Sequence, residues 1–141
     1  MSELIWKITR PLAESAPVEK LEKITDITFP KDYVDCVMEN NAGYPSLKVF
    51  RTNLGDERII NNLLTFDESK DVNIFNTYES LFAATGIKAL IPIAEDPFGS
   101  YMCFDFSEST AKVVFWEHET NRIDAVSDTF TGFIDMLYEK E

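Results

Sequence analysis

The chain of 141 residues lacks most of what marks a catalytic, metal-binding or membrane protein. It has one histidine and two cysteines, and Cys36 and Cys103 share no Cys-x-x-Cys spacing. A zinc site or disulfide framework is therefore not indicated, and both cysteines are expected as small, unpaired, buried hydrophobes. Its five glycines are dispersed, so no glycine-rich phosphate loop can form. No apolar run approaches the roughly 20 residues a membrane span needs. Met1–Arg10 carries no apolar core of a signal peptide, which makes the cytoplasm the default compartment. No cofactor motif is present.

Positive charge is also scarce. Thirteen Lys and Arg face 25 Asp and Glu, a net charge of −12. The excess is uneven. Residues 1–70 hold nine cations against twelve acids (−3), and residues 71–141 hold four against thirteen (−9). Such a surface repels nucleic-acid phosphates. It attracts a basic protein and speeds the encounter, although charge of this size also serves plain solubility.

What is present is a core. Hydrophobic residues make up 45% of the chain, including eleven Phe, which excludes disorder and suits one domain spanning 1–141. Apolar spacing predicts a short helix opened by Pro17, with Val18, Leu21 and Ile24 on one face. A second helix, 30–41, follows from Tyr33, Val34, Val37 and Met38, and Asn40-Asn41-Ala42-Gly43 ends it. A third covers Ile74–Ala84, with Gly86 beyond it. A fourth covers 128–139, capped by Ser127 or Asp128. Ile5-Trp6-Lys7-Ile8 is placed to pack back on the core.

Strands are predicted at Leu47–Phe50, Arg58–Phe66, Lys88–Ala94, Tyr101–Phe106, Ala111–Glu117 and Arg122–Val126. In Tyr101–Phe106, alternation puts Met102, Phe104 and Phe106 on one face and Tyr101, Cys103 and Asp105 on the other. Gly99 can close an Asp-Pro-Phe-Gly turn between two of the strands. Consecutive short strands with tight turns indicate α+β: a mainly antiparallel sheet with helices on one face and at both ends. The uncovered face is left for a partner.

Chemistry is thin. His118 lies between Glu117 and Glu119, but neighbours on a strand point to opposite faces, and no nucleophile is expected beside it. A solvated turn histidine is the plain interpretation. Glu95, Asp96, Asp105, Glu117 and Glu119 could collect oxygen ligands, yet no calcium-loop spacing is present and a solvated strand-end cluster suffices. Ser107, Ser109 and Thr110 are turn residues without a nucleophile-elbow context. Trp116 is expected in the core; an exposed Trp116 would be a strong anchor. Phe98, at a turn tip, is the better candidate for an exposed apolar contact.

The order of these segments resembles the SUKH superfamily. Phe29-Pro30-Lys31-Asp32-Tyr33 running into Asn40-Asn41-Ala42-Gly43-Tyr44-Pro45 is similar to its first signature. Ile91–Phe106 resembles its central hairpin, Val113–Glu119 the following strand and Thr129–Leu137 the closing helix, so that the likeness spans about 15–139. Asn41-Ala42-Gly43 stands where Asn-Gly-Gly is usual, and Ser100 where Asp or Asn is common. The resemblance implies an α+β domain that binds proteins. Many bacterial members are immunity proteins that neutralise toxins, often nucleases, and some eukaryotic members are regulatory adaptors. The reading it supports is a non-enzymatic chain that occludes a basic toxin domain; the acidic, aromatic-bearing face supplies Glu95, Asp96, Glu117 and Glu119 as electrostatic contacts and Phe98, Tyr101 and Trp116 as candidate anchors. A regulatory scaffold binding another protein is the alternative, and a metal-dependent or enzymatic protein the third. No feature of the sequence sets an oligomeric state.

Overall fold

The computed structural model describes residues 3–139. In chain order the elements are β1 (Trp6–Lys7), α1 (Ala16–Thr25), α2 (Lys31–Asn40), β2 (Tyr44–Pro45), β3 (Val49–Arg51), β4 (Glu57–Ile59), β5 (Asn62–Leu63) and α3 (Ile74–Thr85). These are followed by β6 (Leu90–Glu95), β7 (Tyr101–Asp105), β8 (Lys112–Glu117), β9 (Arg122–Ser127) and α4 (Phe130–Met136). The central sheet is antiparallel throughout, in the order β5–β6–β7–β8–β9. β1–β2 and β3–β4 form two small antiparallel pairs. The architecture is α+β.

Alternation sorts the sheet as the sequence predicts. Met102, Phe104, Val113 and Phe115 enter the main core beneath α1, α2 and α4. Cys103, Val114 and Trp116 point the other way and join Leu81 and Leu90 in a second cluster, against which Tyr101 packs. The opposite face is therefore not bare: Leu81 of α3 closes part of it. Toward β9 it opens, with Ile123 and Ala125 exposed. Phe106 lies just past β7 and is partly buried against the main core. Cys36 and Cys103 are both free thiols; Cys103 is buried as expected, whereas Cys36 is only half-buried against the main core.

Each helix follows from its apolar stripe, with local corrections. In α1, Val18 and Leu21 are buried but Ile24 is 52% exposed. Thr25 takes the inward position, because its hydroxyl can donate to the Leu21 carbonyl at 2.7 Å and so enter the core satisfied. In α2, Pro30 is the capping residue rather than part of the first turn; Tyr33 and Val37 are buried. α3 begins in a reciprocal cap between Asn73 and Asn76 and ends at Gly86, whose φ of 71° only glycine adopts at little cost. Its Phe82 is exposed, so the stripe runs through Ile74, Tyr78 and Leu81.

α4 is shorter than the predicted 128–139. Thr129 caps it, accepting from the Gly132 N–H at 2.9 Å. The Ser127 hydroxyl is committed elsewhere, donating to the Thr129 carbonyl at 2.9 Å. Leu137 is buried beyond the helix end, and Tyr138 pairs with Val49 through two backbone hydrogen bonds of 3.0 and 2.9 Å.

The predicted strand Arg58–Phe66 is two strands in different sheets. β4 pairs back on β3, and the chain then turns so that β5 pairs with β6. Backbone bonds stitch the edges of the central sheet to the small ones. The Asn53 N–H donates to the Ala125 carbonyl of β9 at 2.8 Å, and the Leu63 N–H of β5 donates to the Gly43 carbonyl at 2.9 Å. In the N-terminal segment Trp6 packs against the core, whereas Ile5 and Ile8 are 60% and 70% exposed.

The helix stop after α2 is not built as predicted. Neither Asn41 nor Gly43 is left-handed; Ala42 is, with φ 65°. Asn41 is buried and spoken for: its carboxamide accepts from the Phe66 N–H at 3.0 Å and donates to the Thr65 hydroxyl at 3.1 Å. Gly43 is needed for closeness, since a Cβ there would meet the Asn40 carbonyl oxygen at 2.7 Å. The turn therefore falls on the residue between them. Left-handed geometry costs a non-glycine residue about 1–2 kcal/mol. Ala42→Gly should raise stability by about 1 kcal/mol, and Gly43→Ala should lower it by about 1–3 kcal/mol. Urea unfolding of the two variants checks this; a destabilised Ala42→Gly contradicts it.

Candidate protein-interaction site

Two turns meet at one end of the sheet, because β7 begins there and β8 ends there. The first turn links β6 to β7. The Asp96 carboxylate accepts from the Phe98 and Ser100 N–H groups at 2.8 and 2.7 Å, and the Asp96 N–H donates to the Ser100 carbonyl at 3.0 Å. Gly99 completes the reversal with φ 94°. The side chain of Phe98 is left at the tip, 70% exposed.

The second turn follows β8. One Glu117 oxygen accepts from the Glu119 N–H at 3.2 Å, and the other accepts from the Thr120 N–H at 3.1 Å and from its hydroxyl. The Thr120 hydroxyl is the largest influence holding the Glu117 carboxyl below its ordinary range. Asn121 is left-handed (φ 61°) and its side-chain oxygen accepts from the Trp116 indole N–H at 2.6 Å. Asn and Asp tolerate that geometry better than other side chains.

Ser100 joins the two turns. Its hydroxyl oxygen accepts the His118 backbone N–H at 3.1 Å and lies 3.1 Å from His118 Nδ1. The His118 ring lies over Gly99. His118 is exposed in a turn, as expected, but the expectation that no hydroxyl stands beside it is corrected. Ser100 is 3% exposed, and its oxygen is already engaged by the N–H it accepts. The contact fastens one turn to the other.

Behind the turns lies a layer of half-buried groups. Register places Glu95 opposite Tyr101, and Tyr101 opposite Trp116. The Tyr101 and Trp116 rings stack with centroids 5.8 Å apart and planes 8° from parallel. Trp116 is 7% exposed, so it takes the core role and supports Tyr101 from behind. Burial pushes the Glu95 carboxyl above its ordinary range; Asn62 opposes that shift and the nearby Asp96 adds to it. Tyr101 is shifted up for the same reason, with Glu95 contributing.

The seven residues singled out from sequence thus gather at one end but do different things. Phe98 and Glu119 are exposed; Glu95, Asp96, Tyr101 and Glu117 are half-buried; Trp116 is interior. Asp96 and Glu117 fold their own turns, and so are less available to a partner than their charge suggests. Sequence reasoning did not find the cations nearby. Arg122 pairs with Asp124 and Asp56, each at 3.0 Å, and Arg58 lies over the Phe115 ring at 5.3 Å while helping to keep Glu117 ionised. Alternation in β9 hinted at this, since Asp124 faces the core and requires a partner. Among the described residues no group of three or more His, Cys, Asp or Glu is placed to hold a metal ion. No helix there is long and apolar enough to cross a membrane.

The arrangement of a two-turn acidic tip on an antiparallel sheet backed by helices coincides with a match to one protein-family model. That family, described as SMI1-KNR4 cell-wall, matches residues 16–134. The chain belongs to the SUKH family. No curated protein and no solved structure matches it. The SUKH match starts at the first residue of α1 and includes both turns, whereas β1 lies outside it.

Glu95 allows a direct check of the site's electrostatics. A carboxyl whose folded pKa is raised takes up protons more readily in the native state. Its charge therefore weakens the fold above the folded pKa, and this effect fades as pH falls toward the ordinary glutamate value. Glu95→Gln should melt above the wild type at pH 7, and the gap should close by pH 4. Thermal unfolding at both pH values measures it; a lower melting temperature at pH 7 contradicts it.

Proposed function

We propose that this SUKH chain is a non-enzymatic, cytoplasmic protein-binding domain of the immunity type, which occludes a basic toxin domain through the two-turn end of its sheet. The observation that carries this is Phe98: a large apolar side chain, 70% exposed, at a tip held by the Asp96 hydrogen bonds, the Gly99 reversal and the His118 backbone N–H donated to Ser100. Exposing an aromatic ring in water is unfavourable, and a preorganised one costs a partner little to order. Family membership supports protein binding, and the net charge of −12 supports a basic partner.

In the proposed complex Phe98 fills an apolar recess of the partner and Tyr101 borders it, held flat by Trp116. Glu119 and Glu95 face Lys or Arg side chains that a nuclease-type toxin uses for phosphates. Asp96 and Glu117 keep the turns in shape and add negative field. Long-range attraction brings the partners together, and the apolar centre slows their separation.

The test is binding kinetics against the product of a neighbouring gene that encodes a secreted protein with a C-terminal nuclease-like domain. Phe98→Ala should weaken affinity about tenfold or more, mainly through faster dissociation. Glu119→Lys should slow association a few-fold at low salt, an effect that shrinks at physiological ionic strength, where the screening length is about 8 Å. His118→Ala should stay within a few-fold of the wild type. Unchanged affinity in Phe98→Ala, together with salt-independent association, would remove the proposal.

A further inference from the structure

A second feature lies outside the two turns. A pocket of ≈ 200 Å³ sits where the N-terminal segment, the stop after α2 and the β5 region converge, and Glu95 forms part of its lining. Three observations meet there. One of its residues, Ile8, is a non-glycine residue in left-handed geometry, with φ of 55°. For a β-branched residue such as Ile8 this is a true outlier, and outliers of this kind concentrate at binding sites. Second, Ile8 and Val72 leave 70% and 55% of their surface in water although both line the pocket. Third, Arg10 and Lys70 line it, both exposed, and neither forms a salt bridge among the described residues of this acidic chain.

The lining selects the ligand. Two cations beside an apolar wall suit an anionic group attached to an apolar one. Asp67 and Glu95 also line the pocket, so a polyanion such as a nucleotide is repelled and a single negative charge is tolerated. The volume is below that of a drug-sized site and suits one amino-acid-sized group rather than a passing strand. Glu95 supplies a hydrogen-bond acceptor for a donor on that group, whereas the Asn62 oxygen already accepts from the Asn61 side chain at 2.9 Å.

We propose that this pocket binds the C-terminal end of a protein chain, its carboxylate on Arg10 and Lys70 and its last, apolar side chain against Ile8, Leu64 and Val72. The final amide N–H is directed to Glu95. Ile8 and Arg10 precede the residues matched by the family model, so the pocket draws on a segment outside that match.

The probes are N-acetyl-leucine, its uncharged carboxamide, and an acetylated pentapeptide ending in leucine, each titrated into the full chain by NMR. N-acetyl-leucine should move the Ile8 and Val72 methyl signals and leave Phe98 unmoved, whereas the carboxamide should bind about tenfold more weakly or worse, as expected for loss of charge-assisted hydrogen bonds. Arg10→Ala/Lys70→Ala, both solvent-exposed positions, should weaken binding by at least a similar factor. The pentapeptide should bind more tightly than N-acetyl-leucine. Equal binding of acid and carboxamide, or an unaffected double variant, overturns the carboxylate site. A pentapeptide no tighter than the single residue overturns a protein chain end as the ligand. None of these results depends on the toxin-directed surface at Phe98.

Discussion

The two-turn end of the sheet depends on where β7 is held, and β7 is held by Tyr33. This side chain of α2 is fully buried. Its ring meets Phe104 of β7 edge-on at 5.3 Å, Phe130 of α4 at 5.4 Å and Phe29 at 4.9 Å. Aromatic pairs contribute about 0.5–1.5 kcal/mol each beyond burial of their area. Against this, the Tyr33 hydroxyl is buried with no hydrogen-bond partner among the described residues, at a cost of about 1–3 kcal/mol. The ring contacts and the burial of a large side chain exceed that cost. Two helices and the middle strand are locked to one point, and the β7 alternation then fixes which side chains reach the opposite face.

From that point the two turns are a matter of register. Tyr101 faces Trp116 across β7 and β8, so the turns before one strand and after the other come to the same level. The carboxylates that shape them are used as hydrogen-bond acceptors first and as surface charges second. Ser100 performs the joining role with a hydroxyl. A short hydroxyl can accept the His118 N–H while staying almost fully buried. A carboxylate there would carry a charge into the same confined space.

The sheet was legible in the sequence because its signal is local. Period-two alternation in Tyr101–Phe106 and Val113–Glu119 sorts core from opposite face without knowledge of the partner strands. Helix stripes were legible for the same reason. What escaped depends on distant residues. Asn41 is committed to Thr65 and Phe66, which pushes the left-handed turn onto Ala42. The run Arg58–Phe66 is apolar enough for one strand but must satisfy two sheets, so it breaks near Ile60. Thr129 wins the cap of α4 only because Ser127 is engaged by the Thr129 carbonyl. At the site, Phe98 and the acids followed from the hairpin alone, whereas the Ser100–His118 contact spans eighteen positions. The pocket is assembled from the N-terminus, the stop after α2, the 62–72 region and Glu95.

The backbone bonds at the two borders of the sheet have a further consequence. A bare border strand offers a row of unpaired N–H and C=O groups to any extended chain, and many recognition domains capture ligands by adding such a strand. Here Asn53 occupies the Ala125 carbonyl of β9, and the Leu63 N–H of β5 is already spent on Gly43. Each border is thus partly stoppered by its own chain. Strand addition, and the runaway edge-to-edge stacking that leads to fibrils, is hindered on both sides. The side chains at the two-turn end of the sheet stand apart from those borders, so a substitution there leaves the ladder of main-chain bonds undisturbed.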